Sequence, residues 1–146
     1  MKELKTILLA EDNPQDVELT IEAWKEHKLA NQVVVVNDGL EVMDYLNYEG
    51  RFKNRKKGNP VVLLLDIRMP RMNGIEVLEA IRSNEKFKML PVVMLTSSRQ
   101  EPDLKRCYAL GVNAYVVKPL NFKDFLNAVK HIGVFWAMLN ELPPME

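Results

Sequence analysis

Cysteine is nearly absent: Cys107 stands alone among 146 residues, so there is no disulfide framework and no four-thiolate zinc site. Net charge is absent as well. Lys plus Arg and Asp plus Glu both number 20, and a balanced chain has no global field to draw in nucleic acid or anionic lipid, so neither is expected as a partner. Long apolar runs are missing too. The longest uncharged apolar stretch is Ile132 to Leu139, far short of the roughly 20 residues of a membrane span. Met1 to Lys5 carries an acid and no apolar h-region, so it does not read as a signal peptide. No internal repeat, low-complexity tract or inter-domain linker is visible. What is there is ordinary for a globular chain: 47% hydrophobic and 27% charged residues exclude disorder and fibres. A chain of this length can bury about two thirds of its extended surface, enough for a real core. These features point to one soluble domain in a reducing compartment, the cytoplasm.

Along the chain the apolar period alternates between two patterns. Short apolar runs occur at Thr6–Ala10, Val33–Val36, Val61–Leu65, Val92–Leu95 and Tyr115–Val117. The third has no polar alternation, as expected of a strand buried on both faces. Between and after them, apolar residues recur at helical spacing: Val17, Ile21 and Trp24 after the Asn13-Pro14 start signal, then Val42, Met43 and Leu46. Three more helices follow, marked by Val77, Leu78 and Ile81, by Leu104, Cys107 and Leu110, and by Phe122, Phe125, Leu126, Val129, Ile132 and Trp136. Five strand–helix alternations predict an α/β domain: a five-stranded parallel doubly wound sheet, helices on both faces, and an extended C-terminal helix.

In such sheets ligands bind beyond the carboxyl ends of the strands. The residues following the runs are Glu11 and Asp12, Asp66, Thr96, and Lys118. Each has a plain alternative: acids at a helix start, a turn aspartate, a strand-end hydroxyl, a solvated lysine. Together, at strand ends that the fold gathers, they predict a site. Three carboxylates in close range repel and require counter-charge. Lys118 supplies one, and Mg²⁺, a hard cation suited to carboxylate oxygens, supplies the rest, leaving the cluster neutral. Such a site accepts a phosphoryl group, with Asp66 as the nucleophile.

The constellation resembles the receiver domain of bacterial response regulators, over essentially the whole chain. The features are Glu11-Asp12, Asp66-Ile67-Arg68-Met69-Pro70 with Gly74, Thr96-Ser97, and Lys118-Pro119 with Tyr115 three residues before the lysine. The resemblance implies a flavodoxin-like fold and a phosphoacceptor without enzymatic turnover, apart from self-catalysed phosphotransfer and autodephosphorylation. Asp66 would accept a phosphoryl group from a sensor histidine kinase. Asp12, Asp66 and the backbone carbonyl of Arg68 would ligate Mg²⁺, with Glu11 acting through a bound water. Thr96, Ser97 and Lys118 would contact the phosphoryl oxygens, Thr96 and Tyr115 would form the switch, and the bond before Pro119 would be cis.

Two features depart from a minimal receiver. The segment Arg51-Phe52-Lys53-Asn54-Arg55-Lys56-Lys57 lengthens the connection before the third strand; it reads as a solvated, flexible loop or as a kinase-docking element. The final helix runs on through Phe135, Trp136 and Leu139. Adjacent aromatics on a helix point about 100° apart, so one is exposed unless a partner covers it, the alternative being a tail packed on its own domain. These two features resemble the single-domain response regulators that partner phytochromes, and imply a phytochrome-like kinase and a homodimer. The expected organisation is one receiver over 1–146, with a core over roughly 4–133, a C-terminal extension over 134–146, and no output domain. Two rivals remain. A haloacid-dehalogenase-like phosphatase needs an acid two positions after its nucleophile, where Arg68 stands. A receiver-like scaffold that is never phosphorylated predicts losses among the key positions.

Overall fold

The computed structural model describes residues 5–26, 32–118 and 121–139. Five strands, β1 (Thr6–Ala10), β2 (Gln32–Val36), β3 (Val62–Leu65), β4 (Val92–Thr96) and β5 (Ala114–Val117), alternate with helices α1 (Pro14–Glu26), α2 (Gly39–Asn47), α3 (Gly74–Arg82), α4 (Glu101–Ala109) and α5 (Phe122–Gly133). All pairings are parallel, in the order β2-β1-β3-β4-β5. Strand order reverses between β1 and β3, which is where a doubly wound sheet opens a crevice.

The alternation of side chains along each strand divides the core. Leu8, Ala10, Leu63, Leu65, Val92 and Met94 point to one face, under Val42 and Leu46 of α2, Val77, Leu78 and Ile81 of α3, and Cys107 of α4. Ile7, Leu9, Val62, Leu64, Val93 and Leu95 point to the other, under Ala23 and Trp24 of α1 and Phe125, Val129 and Ile132 of α5. Both faces of β3 are sealed, which explains its unbroken apolar run; each fully buried Leu contributes about 2 kcal/mol. The Trp24 indole N–H donates to the Val129 carbonyl at 2.7 Å, tying α1 to α5. Burial pushes the lone Cys107 thiol up to about 11, so it is an inert core residue.

Helix starts are set by local chemistry. Asn13 Oδ1 accepts the N–H groups of Gln15 and Asp16, Asp38 caps α2, Asn73 and Glu76 form a capping box on α3, and Asn121 caps α5. Two helix starts also press against loop backbone. A Cβ on Gly74 would lie 2.2 Å from the Asp66 carbonyl oxygen, and one on Gly39 2.2 Å from that of Met72.

The structure departs from the sequence reading in two places. The basic connection is built, not loose: Gly50–Phe52 forms a 3₁₀ turn, Phe52 is buried, and the Arg55 guanidinium lies between the rings of Tyr45 and Tyr48 at 3.8 and 3.9 Å. The C-terminal helix does not continue as α-helix; after Gly133 it widens into a π-helical stretch, Val134–Leu139. Among the described residues no helix is long and apolar enough to cross a membrane.

Candidate functional site

The parallel ladder runs one residue past β1, β3 and β5 and so fixes the rim. Glu11 N–H donates to Val36 O (3.0 Å), Asp66 N–H to Ala10 O (3.1 Å), and Lys118 N–H to Thr96 O (2.7 Å). Residues from three strand ends thereby meet in register. Glu11 and Asp66 are buried, 4% and 7% exposed, whereas Asp12 is exposed. One oxygen from each of these three carboxylates lies within 4.8 Å of the other two. That is a donor set for one hard divalent cation, with room left for waters.

Lys118 closes the cluster. Its ammonium donates to Glu11 Oε1, to Asp66 Oδ2 at 3.1 Å and to Asp16 Oδ2 at 2.9 Å. Burial works against the ammonium, but the hydrogen bonds to Glu11 and Asp16 and the charge of Asp66 outweigh it, pushing the Lys118 pKa further up. Glu11 moves the other way from an ordinary carboxylate. Burial and the neighbouring Asp66 push it up to about 8, against the pull of Lys118.

Asp16 is absent from the sequence reading. That reading takes the residues that follow each strand, and Asp16 lies beyond them, in the first turn of α1. Nothing local marks it: Asp12 precedes the Asn13 cap and lies outside α1, and Asp16 reads as an ordinary acid in the first turn of a helix. With Asp16 counted, a divalent cation no longer neutralises the cluster; one negative charge is left over.

Thr96 is fully buried, and its Oγ1 accepts the Ser98 N–H at 3.3 Å. Tyr115 is half-buried; its hydroxyl donates to the Ser98 carbonyl at 3.0 Å, and burial raises its pKa. Ser98, not the exposed Ser97, connects these two: its own hydroxyl donates to Asp103 Oδ2 at 2.6 Å, at the start of α4. Arg68 is exposed, and its N–H reaches Asp66 Oδ1 at 3.4 Å, so its main chain lies in the loop beside the acid. That loop is bolted to α2. Arg71, at φ 66°, donates through Nε and Nη2 to Asp38 Oδ2 at 2.9 and 2.6 Å, and Gly39 N–H donates to Met72 O at 3.1 Å. Neither Asp38 nor Arg71 carried a signal in the sequence beyond turn chemistry. Pro119 lies outside the described residues. At the tail, Phe135 is 48% exposed, while Trp136 packs against the α1–α5 core; their rings meet edge to face at 5.0 Å. The side chain of Leu139 lies outside the described residues.

A family model described as the response regulator receiver domain matches residues 7–130. The chain belongs to this family. The receiver is 37% identical to the response regulator Rcp1 of Synechocystis over 139 residues, 95% of this chain and 93% of that protein. Its structure superposes on the phosphorylated cyanobacterial phytochrome response regulator RcpA with a TM-score of 0.90 at 39% identity, covering 97% of this chain and all (100%) of that one. It is also similar to the bacteriophytochrome response regulator AtBRR, at 54% identity and a TM-score of 0.76, over 96% of this chain and 100% of that one. The receiver is thus a response regulator of two-component signalling, similar to the phytochrome response regulators in particular. Rcp1 has been solved in a Mn²⁺-bound form.

Proposed function

We propose that Asp66 is the phosphoacceptor of this receiver, taking a phosphoryl group from a phosphohistidine on a sensor histidine kinase. The observation that carries the proposal is the meeting of Asp66 with Lys118 at 3.1 Å, inside a carboxylate cluster that fits one divalent cation. Glu11, Asp12, Asp66 and the main-chain carbonyl of Arg68 would hold Mg²⁺. When bound, Mg²⁺ supplies the charge that offsets the incoming phosphoryl oxygens. Asp66 Oδ attacks phosphorus in line as the bond to the donor breaks, and the electron pair of that bond leaves with the donor. Lys118, with Thr96 and Ser97, takes up the phosphoryl oxygens. Movement of the Thr96 hydroxyl toward them removes the acceptor of the Ser98 N–H and alters the ground on which Tyr115 is seated, so the α4–β5–α5 face changes shape.

The chain works as a single receiver domain in the cytoplasm, without nucleic acid. Its kinase is of the phytochrome type, supported by similarity to regulators with that name, and it acts as a homodimer through the tail that carries Phe135, Trp136 and Leu139. Self-catalysed loss of the phosphoryl group resets it.

Acetyl phosphate with Mg²⁺ is the direct test, read by intact mass. The wild type gains one phosphoryl group, chelation of the metal abolishes the gain, and Asp66→Asn does not gain it. A variant that is still modified removes Asp66 from the role.

A further inference from the structure

We propose that Asp16 is a positioning residue that holds Lys118 away from the phosphoryl group and so restrains phosphorylation; this rests on the reading of Asp66 as phosphoacceptor. An ammonium has three donors, and all three of Lys118 are engaged, by Glu11, Asp16 and Asp66. The donor on Asp66 passes to the phosphoryl oxygens that Asp66 comes to carry, but those oxygens stand beyond the carboxylate, so the ammonium must move outward and stretch or release its bond to Glu11 or to Asp16. Glu11 is nearly sealed from water, with a side chain 5% exposed, whereas that of Asp16 is 26% exposed. Water replaces the lost bond more readily at Asp16, so the exchange takes place there.

Asp16 is not loosely placed. Its N–H is held by Asn13 Oδ1 at 3.3 Å and its carbonyl accepts the Thr20 hydroxyl at 2.7 Å, on a helix that is packed against α5 through Trp24. The carboxylate is therefore presented to Lys118 by a fixed turn. It also adds a fourth negative charge beside a group that turns from a monoanion into a dianionic acyl phosphate. Competition for the lysine and repulsion of the dianion both oppose the transfer. For the cation the same charge has the opposite sign of effect: it attracts Mg²⁺ and occupies a lysine that would otherwise compete for the metal's carboxylates.

Asp16→Asn keeps the shape and removes the charge. With acetyl phosphate at saturating Mg²⁺, Asp66 Oδ attacks phosphorus, the phosphorus–oxygen bond to acetate breaks and acetate leaves with the electron pair. The variant should accumulate the aspartyl phosphate roughly three- to tenfold faster than wild type, the scale of one partly hydrated charge at this range. The gap should narrow at high salt, and Asp16→Glu should return the rate toward wild type. Calorimetric titration without any phosphodonor should show Mg²⁺ binding to Asp16→Asn weakened by roughly threefold, again one partly hydrated charge. A merely damaged site would lose both rate and affinity, so opposite changes identify the positioning role. An unchanged or slower rate in Asp16→Asn overturns it. A wild type that takes up no phosphoryl group overturns the Asp66 reading instead, which separates the two failures.

Discussion

At the scale of single residues the receiver's chemistry is a problem of charge density. Glu11, pushed from 4.5 up to about 8 by burial and by Asp66, holds its proton in the folded state across a window where the unfolded chain has lost it. The stability linked to that proton is complete below pH 4.5 and is lost as pH rises through about 8. Lys118, whose folded pKa is raised, keeps its contribution throughout that window, so it does not offset the slope. Metal-free protein should therefore melt at a lower temperature at pH 8 than at pH 5.5. Saturating Mg²⁺, by displacing the proton and pairing the carboxylates, should raise the melting temperature most at the higher pH. Thermal melts in chelator and in Mg²⁺ at both pH values check this; parallel shifts at the two pH values would contradict it. Glu11, Asp12, Asp66, Thr96 and Lys118 were all legible in the sequence, because each follows within two residues a run whose pattern marks a strand end. Asp16 was not, because its partner is chosen by how α1 leans over the sheet.

At the scale of elements, the connection from α2 to β3 changes most between sequence and structure. Composition reports five cations in seven residues, Arg51 to Lys57, and a charge run ordinarily reads as solvated. The structure spends two of the cations internally. Arg51 pairs with Glu41 at 3.0 Å and donates to the Val35 carbonyl of the edge strand at 3.1 Å. Arg55 donates to the carbonyls of Tyr45, Lys56 and Gly58, while Tyr48 OH accepts the Gly58 N–H. The side chains of Lys53, Lys56 and Lys57 remain exposed. Arg55→Ala loses two ring contacts and several carbonyl partners and should cost about 2–3 kcal/mol in urea denaturation. Arg55→Lys should recover little, because an ammonium lacks the planar fork that stacks and bonds at once. Full recovery by lysine would show that charge alone holds the loop. The tyrosines that clamp Arg55 sit on and just after α2, where helical periodicity gives Tyr45 and Tyr48 no reason to pair with a residue ten and seven positions on.

At the scale of the whole molecule, the tail carries the proposed contact with a second copy. Phe135 and Trp136 divide their roles: the half-buried tryptophan packs against the α1–α5 core, and the phenylalanine presents nearly half its surface to solvent. An exposed Phe135 beside a packed Trp136 is the contact that the proposed homodimer would cover. In the homodimer proposed above, Phe135→Ser should lower the mass seen by light scattering toward monomer without moving the urea midpoint. Trp136→Ala should lower the midpoint by removing core contacts. A wild type that is monomeric at all concentrations tested would remove the dimer.

The sequence by itself determined the alternation of strands and helices, the doubly wound class and the acids at the rim, because those follow from side-chain period and from neighbours along the chain. Tertiary structure alone decided that Asp16 meets a lysine 102 positions away, that a basic run folds onto two tyrosines, and that adjacent aromatics separate into core and surface. Those outcomes depend on how packed elements are set against one another, and no local pattern of residues carries that distance.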